Sequence, residues 1–296
     1  MIPAGTHSGP RRYATLILAC GIGSILLSIL WLVLTGNTNI QYSADHEGTV
    51  PVWTRWIPSL IGLVVIRLIP PSLQKDKTDQ LTDYPPIAAQ TWVLLAAALL
   101  FPVLLALTGD TQGWYAVIKL VLLVAVPLAV FRIAERGTRL VQAHSNARRS
   151  KLGRWYWLGP ILPIVVWFYL TYATPLATPP SDYVWPDVAT LVATVIVVFL
   201  INAVVEEIFY RVWLQSRLEL LLGRWPAIVL ASLVWAIWHI VIQGGRGLDV
   251  DIAMAFSNQG VQGLFLGYLW SRYRNLWALL IVHGAINAVG ILIALL

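Results

Sequence analysis

The sequence predicts an all-α, polytopic integral membrane protein, and three observations point to it: the composition, the run of apolar stretches and the placement of charge. Of the 296 residues, 58% are hydrophobic and only 11% are charged, and the mean hydropathy is +0.73. A water-soluble domain carries about 25% charged residues. The composition therefore excludes a soluble domain, a disordered chain and a coiled coil, and the single cysteine, Cys20, excludes an intrachain disulfide.

About nine stretches are apolar enough to cross a bilayer, since a spanning helix needs roughly 20 mainly apolar residues. They cover residues 13–35, 52–70, 88–108, 114–132, 156–173, 188–210, 226–243, 252–270 and 276–295. The second stretch gives the weakest signal, because Arg55 and Arg67 flank a short apolar centre and Pro58 interrupts it. The amphipathic stretch Val212–Leu222 is expected to extend the sixth helix beyond the membrane.

The positive charges predict the orientation. With the N-terminus in the cytoplasm, 17 of the 20 Lys and Arg residues fall in inner segments, so the N-terminus is expected inside and the C-terminus outside. Residues 133–155 are expected to form a cytoplasmic helix on anionic lipid. Lys119 lies inside the fourth span, and we expect its long side chain to reach the outer interface. The expected location is a bacterial plasma membrane, and no basic face indicates a nucleic-acid partner.

A proline-rich outer loop at 174–186 divides the chain into two regions. Residues 1–186 hold about five spans with few polar groups, and their role is not predicted. Residues 187–296 hold about four spans and most of the polar residues of interest, so a catalytic membrane domain is expected there. In the first span, Cys20 is expected to be a small apolar residue packed inside a helix, with lipidation as the alternative.

Ionisable groups inside spans cost about 2.5–3.5 kcal/mol each on insertion, so each needs a reason. Arg211 lies four residues after Glu207 on one helical face, which predicts an ion pair. Glu206 points about 100° away from Glu207 and lacks a partner in its own helix. Such a carboxylate suits general acid–base chemistry. The alternative is that both glutamates are structural and pair with arginines of the inner loop.

The next polar-bearing spans add two histidines and an amide. His239 lies in the seventh span, while His283 and Asn287 share one face of the ninth. Each also has a structural interpretation: His239 could be hydrogen-bonded to a backbone carbonyl, and His283 with Asn287 could form a polar contact between two helices. Together with Glu206 they form a set suited to peptide hydrolysis, in which a carboxylate and a histidine deprotonate water while His and Asn stabilise the carbonyl oxygen.

Three motifs in this order resemble those of the CPBP intramembrane proteases. They are Glu-Glu-x-x-x-Arg at 206–211, an aromatic-x-x-x-His motif from Trp235 to His239, and His-x-x-x-Asn at 283–287. This family includes the type II CAAX prenyl endopeptidases and the bacteriocin-processing or self-immunity proteins, also called the Abi family. The resemblance covers about 188–295, and it departs from the usual pattern where Trp235 replaces Phe.

The resemblance implies a role for each matching residue. Glu206 and His239 would activate water, and His283 and Asn287 would form the oxyanion site. Glu207 and Arg211 would brace the helix. The predicted function is therefore an intramembrane endopeptidase whose partners are the lipid bilayer and a peptide or protein substrate at the membrane.

Two alternatives stay open. No cofactor is expected, but two histidines and a glutamate are also a catalytic zinc set, for which Glu206, His239 and His283 would be the ligands. The second alternative is a non-catalytic membrane protein, such as a transporter or an immunity factor that acts by binding.

Overall fold

The computed structural model describes residues 9–43, 46–70, 85–109, 113–177 and 187–294. The predicted inner loop that contains Lys75 and Lys77, and most of the proline-rich loop, lie outside these residues. The helices are α1 (Gly9–Leu34), α2 (Trp53–Leu68), α3 (Pro85–Thr108), α4 (Tyr115–Ile133), α5 (Glu135–Leu152), α6 (Trp155–Leu158), α7 (Ile161–Tyr172), α8 (Val188–Leu222), α9 (Arg224–Ile237), α10 (His239–Gln243), α11 (residues 248–273) and α12 (Leu276–Ala294). Two strands, β1 (Asn39–Ser43) and β2 (His46–Pro51), follow α1.

Every predicted span coincides with one or more helices, which confirms the α-helical membrane architecture. Within the described residues, four helices are long and apolar enough to cross a membrane by length and composition: α1, α3, α4 and α8. Helix α9 and the first part of α12 are shorter apolar helices. The count of nine spans and the orientation of the termini stay predictions.

A β-hairpin lies in the segment between the first two predicted spans, where no strand was predicted. Strands β1 and β2 pair antiparallel, with Ile40 opposite Val50. Both side chains are buried and pack with Leu32 and Met254 in a small apolar cluster. The hairpin is held by this cluster, because an isolated two-stranded hairpin is marginally stable at best.

Helix α11 is the central helix of the bundle, and every residue from Val261 to Tyr273 is buried. It packs against α2 and α9. A Cβ added at Gly263 would lie 2.7 Å from the Ser232 Cβ of α9, so the two helices approach too closely for a larger residue. Small residues at helix contacts are the usual means of close packing inside membranes.

Helix α8 carries the paired glutamates and runs for 35 residues. Asp187 caps its start by accepting hydrogen bonds from the Ala189 and Thr190 amides, and the Thr190 hydroxyl contact lowers the pKa of the Asp187 carboxyl. At the other end the helix continues to Leu222, as expected from its amphipathic pattern. Gly223 ends it with φ of 82°, a conformation that glycine adopts without strain.

Helix α5 occupies the segment where a cytoplasmic helix was expected, and polar contacts tie it to the ends of its neighbours. Arg148 donates to Glu219 Oε2 over 3.0 Å and to the Ser271 carbonyl over 3.0 Å. Arg274, from the turn before α12, also donates to Glu219. One carboxylate therefore joins three segments at this end of the bundle.

The expectation for Cys20 is wrong. Its side chain is exposed on the surface of α1, so it does not pack inside the bundle. The physical reason is that α1 buries little of its surface and presents a broad apolar face outward, which is usual for a helix at the lipid boundary.

Candidate active site

Four helices, α4, α8, α9 and α12, together with the start of α10, bring the candidate residues together. Helix α8 supplies Glu206 and Glu207, and both are 1% exposed. The start of α10 supplies His239, and α12 supplies His283, with both imidazoles buried. The sequence predicted this set, and the structure gathers its ionisable members into one buried cluster.

Glu206 lies at the centre of the cluster, and each of its carboxylate oxygens accepts a hydrogen bond. Lys119 Nζ donates to Oε1 over 2.5 Å, and the Trp235 indole Nε1 donates to Oε2 over 2.5 Å. The His283 Nε2 atom lies 3.9 Å from Oε2. Glu206 is therefore held in one position from two sides, by α4 and α9.

Lys119 is the counter-charge of Glu206, and the prediction that it reaches the outer interface is wrong. Its side chain is completely buried. It also donates to the Tyr115 hydroxyl over 2.5 Å and to Asn202 Oδ1 over 2.9 Å, and its ammonium lies 4.8 Å from the centre of the Trp238 ring. Three oxygen acceptors and an aromatic face replace the water that a lysine would otherwise seek.

The predicted ion pair between Glu207 and Arg211 is present, with Arg211 Nε 3.5 Å from Glu207 Oε2. Glu207 has a second contact that was not predicted. The His283 Nδ1–H donates to Glu207 Oε1 over 2.7 Å. This contact fixes the plane and tautomer of the imidazole and places a negative charge beside it.

His239 is oriented by the last turn of the preceding helix, α9. Its Nδ1 lies 3.1 Å from the Trp235 carbonyl oxygen, and since a carbonyl only accepts, Nδ1 carries the hydrogen. The Nε2 atom of the neutral ring therefore keeps its lone pair. The ring also packs on Trp238, with centroids 3.9 Å apart. It lies 5.1 Å from the Trp235 ring, centroid to centroid, and the indole N–H of Trp235 donates to Glu206.

Asn287 lies one turn beyond His283 on α12, as the spacing predicted. It is partly buried, and its Nδ2 has no hydrogen-bond partner among the described residues. The three guanidinium nitrogens of Arg211 and the Tyr210 hydroxyl are likewise buried and make no hydrogen bond in the part of the chain that the structure describes, although Arg211 forms its ion pair with Glu207. Buried donors of this kind are usually satisfied by ordered water or by a ligand.

The backbone around the two glutamates departs from a regular α-helix. Phe199–Val204 and Glu207–Gln215 have the wider π-helical turn, with Glu206 directly before the second of these stretches. Such π-segments are often found at functional sites. The two adjacent carboxylates next to this irregular backbone have different partners, Lys119 for Glu206 and His283 for Glu207.

Two features of the site were missed from the sequence. Lys119 carried a signal, a lysine inside an apolar span, but the sequence does not show which helix lies opposite it. Trp235 was assigned only a packing role, although its indole N–H donates to Glu206, which a phenylalanine at this position cannot do. Lys119 also lies across the predicted boundary at residues 186 and 187, so the first region contributes to the site.

The side chains that would be the zinc ligands, Glu206, His239 and His283, are not arranged to bind a metal ion here. Glu206 already binds an ammonium group, and a cation beside Lys119 would be repelled by it. Within the described ranges, no group of three or more His, Cys, Asp and Glu side chains is placed to hold a metal ion.

An apolar crevice of about 380 Å³ lies between α8 and α12, next to the site helices. Phe199, Leu200, Leu280 and Ile281 are among the residues that line it. Gly284, which follows His283 directly in the chain, also lines this crevice, and a Cβ added there would be 2.9 Å from the Phe199 ring. The crevice therefore contacts the same helix turn that carries His283.

Fold and site together define a class: a polytopic helical membrane protein with a buried glutamate and histidine cluster. Residues 188–289 match the family model described as type II CAAX prenyl endopeptidase Rce1-like, which is a protease family. This match confirms the resemblance to the CPBP proteases over the region that carries the three motifs. Comparison with curated proteins and with solved structures gave no match.

Proposed function

We propose that this protein is an intramembrane endopeptidase that hydrolyses a peptide bond of a membrane-associated protein or peptide. The observation that carries the proposal is the position of Glu206, a buried carboxylate held by Lys119 and Trp235 with the His283 imidazole 3.9 Å away. The family match over residues 188–289 supports the same conclusion, and its description suggests a CAAX-type C-terminal peptide as substrate.

Glu206 and His239 activate the water in this proposal. Each carboxylate oxygen has two lone pairs, so Glu206 can accept from water while keeping its bonds to Lys119 and Trp235. The water oxygen attacks the carbonyl carbon of the substrate, and its proton passes to Glu206 or to the free Nε2 of His239. That proton then moves to the amide nitrogen as the C–N bond breaks, which releases an amine and a carboxylic acid, and the acid then loses its own proton to water and leaves as a carboxylate.

His283 and Asn287 stabilise the oxygen that becomes negative during the attack. Glu207 accepts from His283 Nδ1–H, so a second proton on Nε2 makes a cationic donor that the Glu207 charge stabilises. Asn287 Nδ2 is a donor one turn away. Removing one such donor in other hydrolases costs about 10²–10³ in kcat.

Lys119 has a positioning role in the proposed mechanism. It supplies the counter-charge of Glu206 within the apolar bundle and fixes the carboxylate against α4, while the second lone pairs of the carboxylate oxygens stay available. The unbonded donors of Tyr210, Arg211 and Asn287 indicate where water enters, since buried polar groups without protein partners usually bind water. The crevice beside Gly284 provides an apolar route for a substrate from the lipid.

The test uses the full chain, purified in detergent and reconstituted in vesicles, with fluorogenic CAAX-type peptides that carry or lack a prenyl group. Wild-type protein should cleave at least one peptide, and Glu206→Gln, His239→Ala and His283→Ala should each lose cleavage. The matched control is Glu135→Gln, which removes an exposed carboxylate far from these motifs in the chain.

The alternatives give different outcomes in the same assay. Cleavage by Glu206→Gln at the wild-type rate would show that the assignment of the base is wrong. Cleavage that chelator abolishes and zinc restores would support the zinc alternative instead. If no peptide is cleaved while the protein still protects cells that carry its gene, a non-catalytic role in immunity or transport is favoured.

A further inference from the structure

A second cavity, of about 660 Å³, lies between α5 and the ends of α4 and α8, away from the candidate active site. Five arginines line it: Arg132, Arg139, Arg149, Arg217 and Arg274. The one acidic residue in its lining is Glu135. The cavity is therefore strongly positive, and it lies where the spanning helices end.

The positive charge of this cavity is only partly compensated. Glu135 pairs with Arg139 over 2.5 Å, and Arg274 donates to Glu219. Arg217 is 2% exposed, and the partners described for it are neutral: Gln90 Oε1 at 2.9 Å, the Trp213 carbonyl at 3.0 Å and the Phe131 ring. A buried cation without an anionic partner is costly, and a bound anion would remove that cost.

The remaining lining of the cavity consists of six apolar residues and four polar ones, and the polar ones are Thr138, Gln142, Ser145 and Asn146. Leu128 lines the cavity and is 48% exposed, and Ile133, at the turn between α4 and α5, is 87% exposed. Phe131 and Trp213 form part of the wall. The cavity thus combines a cluster of arginines with a partly apolar wall beside exposed apolar residues of α4, which matches a phosphate group attached to acyl chains.

We propose that this cavity is a binding site for an anionic phospholipid, whose phosphodiester contacts Arg217 and the arginines of α5 and whose acyl chains pass Leu128. Guanidinium groups bind phosphate in a bidentate manner, and basic pockets between spanning helices are known to bind lipid headgroups. A zwitterionic lipid is disfavoured, because its ammonium group would lie among the arginines.

A lipid bound in this cavity would contact both α5 and the rest of the helix bundle. The lipid phosphate would link α4, through Arg132, and α5, through Arg149, to α8, through Arg217. Bound lipid should therefore raise the thermal stability of the whole protein, because a ligand that binds only the folded state stabilises it.

The test measures the unfolding temperature of the purified full-length protein in neutral detergent while lipid is added. Phosphatidylglycerol should raise the unfolding temperature by about 5 °C when its free concentration is a hundred times its Kd. Phosphatidylcholine should have little effect. Native mass spectrometry should detect one phosphatidylglycerol molecule retained per chain.

Two double variants with equal loss of charge make the matched comparison. Arg132→Gln with Arg149→Gln removes two arginines that line the cavity, and this variant should lose at least half of the stabilisation. Arg136→Gln with Lys151→Gln removes two exposed charges of α5 that do not line it, and this variant should keep the effect. All four side chains are exposed, so both proteins are expected to fold.

Three outcomes would overturn the proposal. Equal loss in both double variants would mean that lipid responds only to the overall positive charge of α5 and the end of α4. Equal stabilisation by inorganic phosphate or glycerol phosphate would assign the site to a soluble anion. Stabilisation by a peptide with a free C-terminal carboxylate, through the same arginines and without a lipid effect, would assign it to the substrate.

Discussion

Lys119 shows how one buried charge changes the interpretation of a site. Its position in an apolar span was visible in the sequence, and a long side chain near a span end usually reaches the interface. The structure instead places it against Glu206, Asn202 and Tyr115. The carboxylate that the sequence left without a partner thus has one from a distant helix.

The pairing of Lys119 with Glu206 predicts a specific pattern of stability. Lys119→Met leaves a buried carboxylate without its counter-charge and should lower the free energy of unfolding by about 3–5 kcal/mol. Adding Glu206→Gln should recover part of this loss, because both charges are then gone. Unfolding of the single and double variants in mixed micelles measures the coupling; strictly additive losses would mean that the two residues do not interact.

Glu207 and His283 lead to a kinetic prediction. Glu207→Gln keeps an acceptor for His283 Nδ1–H but removes the negative charge, so kcat should fall by about 10–100-fold with KM unchanged. His283→Ala should lose more, and Glu135→Gln should match wild type. Steady-state kinetics with a cleaved peptide provide the measurement. An unchanged kcat for Glu207→Gln would limit Glu207 to its structural pair with Arg211.

The candidate site was predictable from the sequence to the extent that spacing along a helix determines it. The pairs Glu207–Arg211 and His283–Asn287 follow from the i, i+4 rule. The contacts of Glu206 with Lys119 and of Glu207 with His283 join different helices, and helix spacing contains no information about which helices are neighbours. The hydrogen bond from the Trp235 indole to Glu206 was not predicted for the same reason.

At the level of the elements, the positions of the helices were predicted well because long apolar helices have a strong hydropathy signal, while the count of nine spans stays a prediction. The hairpin of β1 and β2 was missed because its stability comes from contacts with α1 and α11. Its own sequence is short and carries charged and polar residues, so it lacks an extended alternating pattern. The sequence likewise did not predict which helices pack closely together, although its glycines indicated that close packing occurs.

The contact between α9 and α11 predicts the effect of a single methyl group. Gly263→Ala places a Cβ 2.7 Å from Ser232 Cβ and should lower the free energy of unfolding by about 1–3 kcal/mol. Gly23 in α1 is the matched control, since an added Cβ there meets nothing within 4 Å. Gly23→Ala should be neutral or stabilise by up to about 1 kcal/mol. Thermal unfolding in detergent compares the two, and equal effects would contradict the close approach.

For the whole molecule, the distribution of Lys and Arg predicts an inner N-terminus and an outer C-terminus. A reporter that is active only outside the membrane should therefore work when fused after Leu296 and fail when fused before Met1. A fluorescent protein that folds only in the cytoplasm should give the opposite pattern. The same result at both ends would mean an even number of spans and would contradict nine.

The arrangement of Lys119 at Glu206 also predicts behaviour toward metal. If Glu206 acts as the base, the purified protein should contain no stoichiometric zinc, and chelator should leave cleavage unchanged. The reason is that the Lys119 ammonium group is already paired with the Glu206 carboxylate, which would have to be one of the zinc ligands. Elemental analysis together with activity before and after chelation provides the measurement. About one zinc per chain, with activity that returns only on adding zinc, would favour the metalloprotease alternative.

The bond between Lys119 and Glu206 also has a consequence during synthesis. The two residues are 87 positions apart, so at about 5–20 residues per second the lysine enters the membrane roughly 4–17 s before its carboxylate is made. During that interval the ammonium group must be solvated by water, lipid headgroups or the translocation machinery. A ribosome-bound chain arrested before Glu206 should therefore expose Lys119 to amine-reactive reagents, whereas a chain arrested after α12 should protect it.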